Sequence, residues 1–268
     1  MLLNMRSAWA QILGTRERQE DSASVTRWEN GYHLLILADG MGGHHGGQEA
    51  SRIVTTRMRE SFLQASQSDA VVRSVLRGSL EATNRALSDY LDLHPELDGM
   101  GSTLVGAVFD GECLDWVSVG DSPLFLIRGG EIRRLNSNHS MAAVLAAQVA
   151  AGEISAEHAK ASPRRSELLA AVMGGRIALV DAPETPVALR PGDAIVLASD
   201  GLEVLSPAMI TEIVTEHFPI GPQAVVDGLL ESVSALGRRH QDNTTVIAGC
   251  VGENNPPATP SLMGRSPC

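Results

Sequence analysis

Leu34-Leu35-Ile36-Leu37-Ala38-Asp39-Gly40-Met41-Gly42-Gly43-His44 is an apolar run that ends on a carboxylate and then on three glycines within four positions. The apolar part predicts a buried strand, and the glycines let the backbone fold closely around whatever Asp39 holds. A carboxylate at a strand end with no bulky neighbour suits a hard divalent cation, and the Gly40 carbonyl is a second candidate oxygen ligand. A nucleotide phosphate cradle is the competing idea, but neither GxxxxGK[ST] nor GxGxxG is present. A plain tight turn would not require so apolar a strand to end in an acid.

The same arrangement recurs far along the chain. Val196-Leu197-Ala198-Ser199-Asp200-Gly201-Leu202 is again an apolar run ending in Asp-Gly, and Gln241-Asp242-Asn243 immediately precedes the β-branched run from Thr244. Asp-Gly alone is a common turn, and Asp242 alone reads as a cap or turn residue. Together with Asp21 and Asp121 they form a set of widely spaced acids, each beside a glycine or at the end of an apolar run, which reads as a metal site assembled from distant segments. Near the amino terminus, Arg16 precedes the Glu20-Asp21 pair, offering a phosphate-binding fork and metal-facing carboxylates on one loop.

Short β-branched and apolar runs predict strands at 32–38, 103–109, 114–119, 124–127, 194–198 and 244–251. Asp110-Gly111 and Gly129-Gly130 mark antiparallel hairpins. Spacing of three and four predicts two long helices, one through Ala50, Ile53, Val54, Met58 and Phe62, the other through Val72, Leu76, Leu80, Thr83, Leu87 and Leu91. Further helices are predicted at 141–151, 166–173, 207–216 and 223–236. Hairpins with helices inserted between groups of strands argue for an α+β layered fold of antiparallel sheets flanked by helices, against a doubly wound parallel one.

The chain has 268 residues, enough for one domain with a sizeable core, expected over 1–252. Residues 253–268 are proline-rich, short of apolar side chains, and expected to be a disordered tail. The net charge of −11, with no basic patch, argues against nucleic acid as a partner. No stretch of 18 apolar residues is present, so a membrane span is not expected and a cytoplasmic protein is. Cys113, Cys250 and Cys268 share no zinc-ligand spacing and read as inert thiols of a reducing compartment.

The segments 16–21, 39–44, 101–103, 120–122, 199–202 and 242–246 resemble, in order, the motifs R-x-x-N-E-D, D-G-M-G-G-H, G-S-T, G-D-S, S-D-G-L and D-N-x-T-V. Those motifs belong to the metal-dependent serine/threonine protein phosphatases of the PP2C type (PPM), and the likeness is nearest to the bacterial branch. The resemblance implies a four-layer α-β-β-α sandwich. It implies that Asp39 bridges two Mg²⁺ or Mn²⁺ ions with the Gly40 carbonyl on one of them. Asp200 and Asp242 complete the ligands, Asp21 holds the site directly or through water, and Glu20 sits beside them. Asp121 with Asp200 matches a third, weaker metal position, and Arg16 grips phosphate oxygens. His44 is a candidate proton donor. The segment 138–175 occupies the place of a flap beside the active site.

The implied reaction is hydrolysis of protein phosphoserine and phosphothreonine by direct attack of a metal-bridging hydroxide. Two ions roughly 3.5 to 4 Å apart can generate that nucleophile and clamp the transferring group. Oxygen-only ligands favour Mg²⁺ or Mn²⁺ over zinc. Expected partners are phosphorylated proteins, including a Hanks-type serine/threonine kinase or its targets, and the protein is expected to be a monomer. Departures from the family pattern are Gln19 for asparagine, Gln48 for glutamate, Pro123 for arginine and Asn138 for aspartate. Met41 stands where eukaryotic relatives offer a histidine acid. Two other readings stand beside this one: a phosphatase of a phosphoserine anti-sigma antagonist, and a catalytically inactive phosphatase-like binding module.

Overall fold

Pleat alternation divides the long apolar run between two cores. Leu34, Ile36 and Ala38 face the helices α1 (Gly46–Ala65) and α2 (Val72–Leu93), whereas Leu35 and Leu37 face a second sheet. The computed structural model describes residues 3–43, 46–66 and 71–253. In chain order its strands are β1 (Leu3–Ile12), β2 (Asp21–Arg27), β3 (His33–Met41), β4 (Gly101–Ser102), β5 (Leu104–Phe109), β6 (Cys113–Val119), β7 (Leu124–Arg128), β8 (Glu131–Arg134), β9 (Val187–Ala188), β10 (Ala194–Ala198) and β11 (Thr244–Glu253). The remaining helices are α3 (Met141–Ala150), α4 (Ala156–Ala161), α5 (Pro207–His217) and α6 (Pro222–Ala235).

One sheet has the order β1-β11-β10-β7-β8; the other has β2-β3-β5-β6-β9, with β4 added on β3. All the ladders between these strands are antiparallel. The sheets meet through Met5, Leu35, Leu37, Val105, Phe109, Trp116, Leu126, Ile195, Leu197 and Ile247. The outer face of the first sheet packs on α5 and α6 through Val196, Ile210, Val226 and Leu229. Four layers result, helix–sheet–sheet–helix, and both faces of the central strands are covered.

The six expected strands all form, and the Gly129-Gly130 turn joins β7 to β8 with both glycines at positive φ, 58° and 80°. The helix expected at 166–173 does not form. Its apolar residues, spaced as if helical, lie in extended backbone that makes isolated bridges, Leu168 to Ser140 and Val172 to Ser102. β1 and β2 were not expected, because both are rich in small and polar residues. Asp21 is the first residue of β2, so of the paired acids only Glu20 shares the loop of Arg16. His44 and residues 254–268 lie outside the described residues. Among the described residues no helix is long and apolar enough to cross a membrane.

Candidate active site

Antiparallel register puts Asp21 directly opposite Asp39 across β2 and β3. Asp21 is only 6% exposed, and its Oδ2 accepts hydrogen bonds from Ser199 Oγ and Thr245 Oγ1, both at 2.7 Å. Its Oδ1 is buried with no hydrogen-bond partner. Burial pushes the Asp21 carboxyl up to about 6, against the opposing effect of the two hydroxyls. Asp21 therefore stands behind the cleft that the other acids line.

Asp39 shares the inward face of Leu35 and Leu37, at the mouth between the sheets. Its N–H donates to Thr103 Oγ1 (3.0 Å), and its carbonyl accepts from Thr103 N–H (2.8 Å) and Ser102 Oγ (2.9 Å). Burial, then the carboxylates of Asp21, Asp200, Asp121 and Asp242, hold its carboxyl well above the usual range. The next residue has no room for a side chain: a Cβ on Gly40 would lie 2.0 Å from the Gly47 carbonyl oxygen. That contact seats the start of α1 against β3.

Asp39, Gly40, Asp121, Asp200 and Asp242 line a single cleft of about 480 Å³, together with Arg16 and Glu20. Of the site residues expected from sequence, the cleft brings these seven together, with Asp21 immediately behind Asp39. Asp200 opens a short 3₁₀ turn after β10, where a Cβ on Gly201 would meet the Asn243 carbonyl oxygen at 2.1 Å. Burial, then Asp121, Asp242, Asp21 and Glu203, raise the Asp200 carboxyl to about 7. Asp121 follows Gly120, whose φ is 101°, and its carbonyl accepts from Arg134 Nη2 at 2.5 Å. Burial raises its carboxyl while Arg134 opposes the shift. Buried His139 brackets the same turn: its N–H donates to the Gly120 carbonyl at 3.0 Å, and its Nδ1 accepts from Gly120 N–H at 3.3 Å.

Arg16 Nη2 donates to Asp242 Oδ2 at 2.5 Å, with the two side chains 54% and 38% exposed. Asn243 holds the loop that carries Arg16. Its Nδ2 donates to the carbonyls of Leu13 (2.9 Å) and Arg18 (3.0 Å), and its Oδ1 accepts from Glu20 N–H (2.8 Å). Sequence reasoning passed over Asn243, Ser199 and Thr245, although Asn243 and Ser199 each adjoin an acid of the set.

The chemistry of the donors fits hard divalent cations. They are all oxygens, Asp39 and Asp200 are raised by burial and then by neighbouring carboxylates, and Asp21 keeps a buried oxygen without a partner. Among the described residues no three His, Cys, Asp or Glu side chains form a closed metal site by themselves, and the Gly40 carbonyl lines the cleft beside the carboxylates. Met41 lines the cleft and has no proton to donate. Cys113 and Cys250 are free thiols on β6 and β11 away from the cleft, and burial pushes Cys250 up to about 11.

The family model described as protein phosphatase 2C matches residues 13–223, and the chain belongs to that family. It is 31% identical over 249 residues to the serine/threonine protein phosphatase PstP of Mycobacterium tuberculosis, covering 93% of this chain and 45% of PstP. The chain thus spans about half the length of that relative. It is 34% identical over 211 residues to the protein phosphatase PhpP of Streptococcus pneumoniae, covering 76% and 82% of the two chains. The crystal structure of the PstP catalytic domain in complex with two manganese ions superposes with a TM-score of 0.75 at 29% identity, covering 94% of this chain and 100% of that one.

Proposed function

We propose that the chain is a metal-dependent phosphatase of protein phosphoserine and phosphothreonine. The observation that carries this reading is the convergence of Asp39, Asp121, Asp200, Asp242 and Arg16 on one cleft, in a chain of the protein phosphatase 2C family. Asp39, Asp200, Asp242 and the Gly40 carbonyl would hold two ions, Asp21 and Glu20 would support them, and Asp121 with Asp200 would take a third. Bound Mg²⁺ or Mn²⁺ supplies an activated water and neutralises charge on the transferring phosphoryl group.

The residues of the chain do the rest. Arg16 presents a planar fork to two phosphate oxygens once it leaves Asp242, and Asn243 fixes the loop from which it reaches. Ser199 and Thr245 keep Asp21 ionisable in a buried place by donating to it. His44, which follows Gly42-Gly43 in the sequence, is the candidate to protonate the leaving alkoxide. Substrates would be phosphorylated proteins, among them a Hanks-type kinase or its targets, in the cytoplasm.

The test is hydrolysis of p-nitrophenyl phosphate and of a phosphothreonine peptide with added Mn²⁺, beside an Asp39→Asn protein. Metal-dependent turnover that the substitution abolishes is the expected result. No turnover with any divalent ion would leave a binding module instead.

A further inference from the structure

Segment 166–176 begins in the catalytic cleft and ends in a second depression. Ser166 and Leu168 line the cleft, Val172 bridges to Ser102, and Gly175 and Arg176 line a groove of about 390 Å³ against α2. The groove is fixed in place. Asn84 on α2 accepts from Gly174 N–H at 2.9 Å and donates to the Gly175 carbonyl at 2.7 Å. Gly174 has φ 80°, and a Cβ there would meet the Ser88 backbone at 2.8 Å, so loop and helix backbones are in direct contact.

The charge of this groove is opposite to that of the chain. Arg77, Arg85 and Arg176 line it with a single acid, Glu81, on a protein of net charge −11. Arg77, Glu81 and Arg85 follow one another at intervals of four and so share one face of α2. On the same helix Arg73 is held by Asp115 at 3.5 Å, whereas Arg77 donates to the Ala182 carbonyl at 3.3 Å. Among the described residues Arg85 and Arg176 have no ion-pair partner. Val180, 37% exposed, lines the groove, and its neighbour Leu179 is 43% exposed, so apolar surface lies beside the guanidinium groups.

We propose that this groove docks an acidic stretch of the phosphoprotein substrate while the phosphorylated residue occupies the cleft, an inference that rests on the phosphatase reading above. Three guanidinium groups attract carboxylates and bind them in planar pairs, which is the complementarity such a stretch offers. The chain between Leu168 and Arg176 spans at most about 26 Å at roughly 3.3 Å per residue, so the acids lie within about eight residues of the phosphorylated one.

The test compares two phosphothreonine peptides, one with glutamates four to eight positions from the phosphothreonine on either side and one with serines there. Several exposed ion pairs acting together give about a tenfold preference for the acidic peptide, carried by KM. In an Arg85→Glu/Arg176→Glu protein the acidic peptide's KM is expected to rise about tenfold, with its kcat and the turnover of p-nitrophenyl phosphate unchanged. An Arg85→Gln/Arg176→Gln protein guards against a folding defect from charge reversal. Equal KM values for the two peptides with the natural chain, or a preference that survives both double substitutions, would overturn the proposal. Anisotropy of the labelled, dephosphorylated acidic peptide in chelator measures docking without turnover. Absence of p-nitrophenyl phosphate hydrolysis strikes the phosphatase reading alone, and the anisotropy then still decides whether the arginines bind the acidic stretch.

Discussion

Asp21 and Asp39 stand directly opposed across the β2–β3 ladder, two carboxylates on one side of one sheet. Like charges in that relation destabilise a ladder, and here burial strengthens the effect. A carboxyl raised above its unfolded value binds extra protons in the folded state. Its unfavourable effect is therefore absent at low pH and grows as pH rises from about 4, the unfolded value, through the folded one. With Asp21 raised to about 6 and Asp200 to about 7, that window is about pH 4 to 7.

In chelator, the protein is expected to melt higher at pH 5 than at pH 8, by roughly 5 °C or more. Adding Mn²⁺ at pH 8 should recover most of the difference, because a cation that binds only the folded site stabilises it by mass action. Thermal scanning in the three conditions checks both statements. A chelated protein that melts higher at pH 8 would contradict the electrostatic account of the cleft.

Asp39→Asn separates stability from activity. It removes the charge that four other carboxylates oppose, while the backbone bonds to Thr103 and Ser102 remain. The chelated variant is expected to melt at or above the natural chain at pH 8, and its phosphatase turnover to fall about 10³-fold, the loss of several kcal/mol of charge stabilisation. Side-by-side melting and p-nitrophenyl phosphate assays decide. A variant that loses stability and activity together would assign Asp39 a structural role.

Much of this fold and cleft is legible in the sequence. Strands covered on both faces, such as β3, β5, β10 and β11, must be apolar throughout, so they announce themselves as runs. β1 lies at a sheet edge and alternates buried with exposed residues, among them Asn4 and Arg6, which dilutes the same signal. Residues 166–173 misled because Leu168, Leu169, Val172 and Met173 repeat at helical spacing, yet backbone bonds to Ser102 and His139 hold them extended. The acids of the cleft were visible because glycine and apolar strands flank them. Their supports were not, because Ser199, Thr245 and Asn243 are ordinary strand and turn residues until register brings them to Asp21 and Glu20.

Two glycine substitutions should act with opposite signs. A Cβ on Gly40 would fall 2.0 Å from a backbone oxygen that no side-chain rotation relieves, so Gly40→Ala is expected to destabilise by roughly 3 kcal/mol or more and to abolish turnover. Gly78 is exposed inside α2 with nothing within 4 Å of its Cβ position, so Gly78→Ala is expected to stabilise by about 0.5 to 1 kcal/mol. Denaturant midpoints measure both, and a neutral Gly40→Ala would refute the close approach of α1 to β3.

The Arg16–Asp242 pair is largely open to solvent, at 54% and 38% exposure, so its net effect on folding is at most about 1 kcal/mol. Arg16→Ala is accordingly expected to shift the melting temperature by no more than about 4 °C. Its kcat/KM should nevertheless fall roughly 10- to 100-fold, the value of charged hydrogen bonds to a phosphate. Arg16→Lys keeps the charge and loses the fork, so it should recover only part of that. Full activity in Arg16→Ala would remove the arginine from phosphate binding.

Asn243, immediately before β11, ties down the loop that carries that arginine. It is 3% exposed and makes three hydrogen bonds to the backbone of residues 13–20, at 2.8 to 3.0 Å. Asn243→Ala leaves the carbonyls of Leu13 and Arg18 without this donor, an effect of about 1 to 3 kcal/mol on stability. If the loop's purpose is to hold Arg16, kcat/KM should also fall about tenfold, and combining Asn243→Ala with Arg16→Ala should add little to the loss from Arg16→Ala alone. Additive losses in that double-mutant cycle would mean that Asn243 acts on the cleft by another route, through Asp242 and not through the arginine loop.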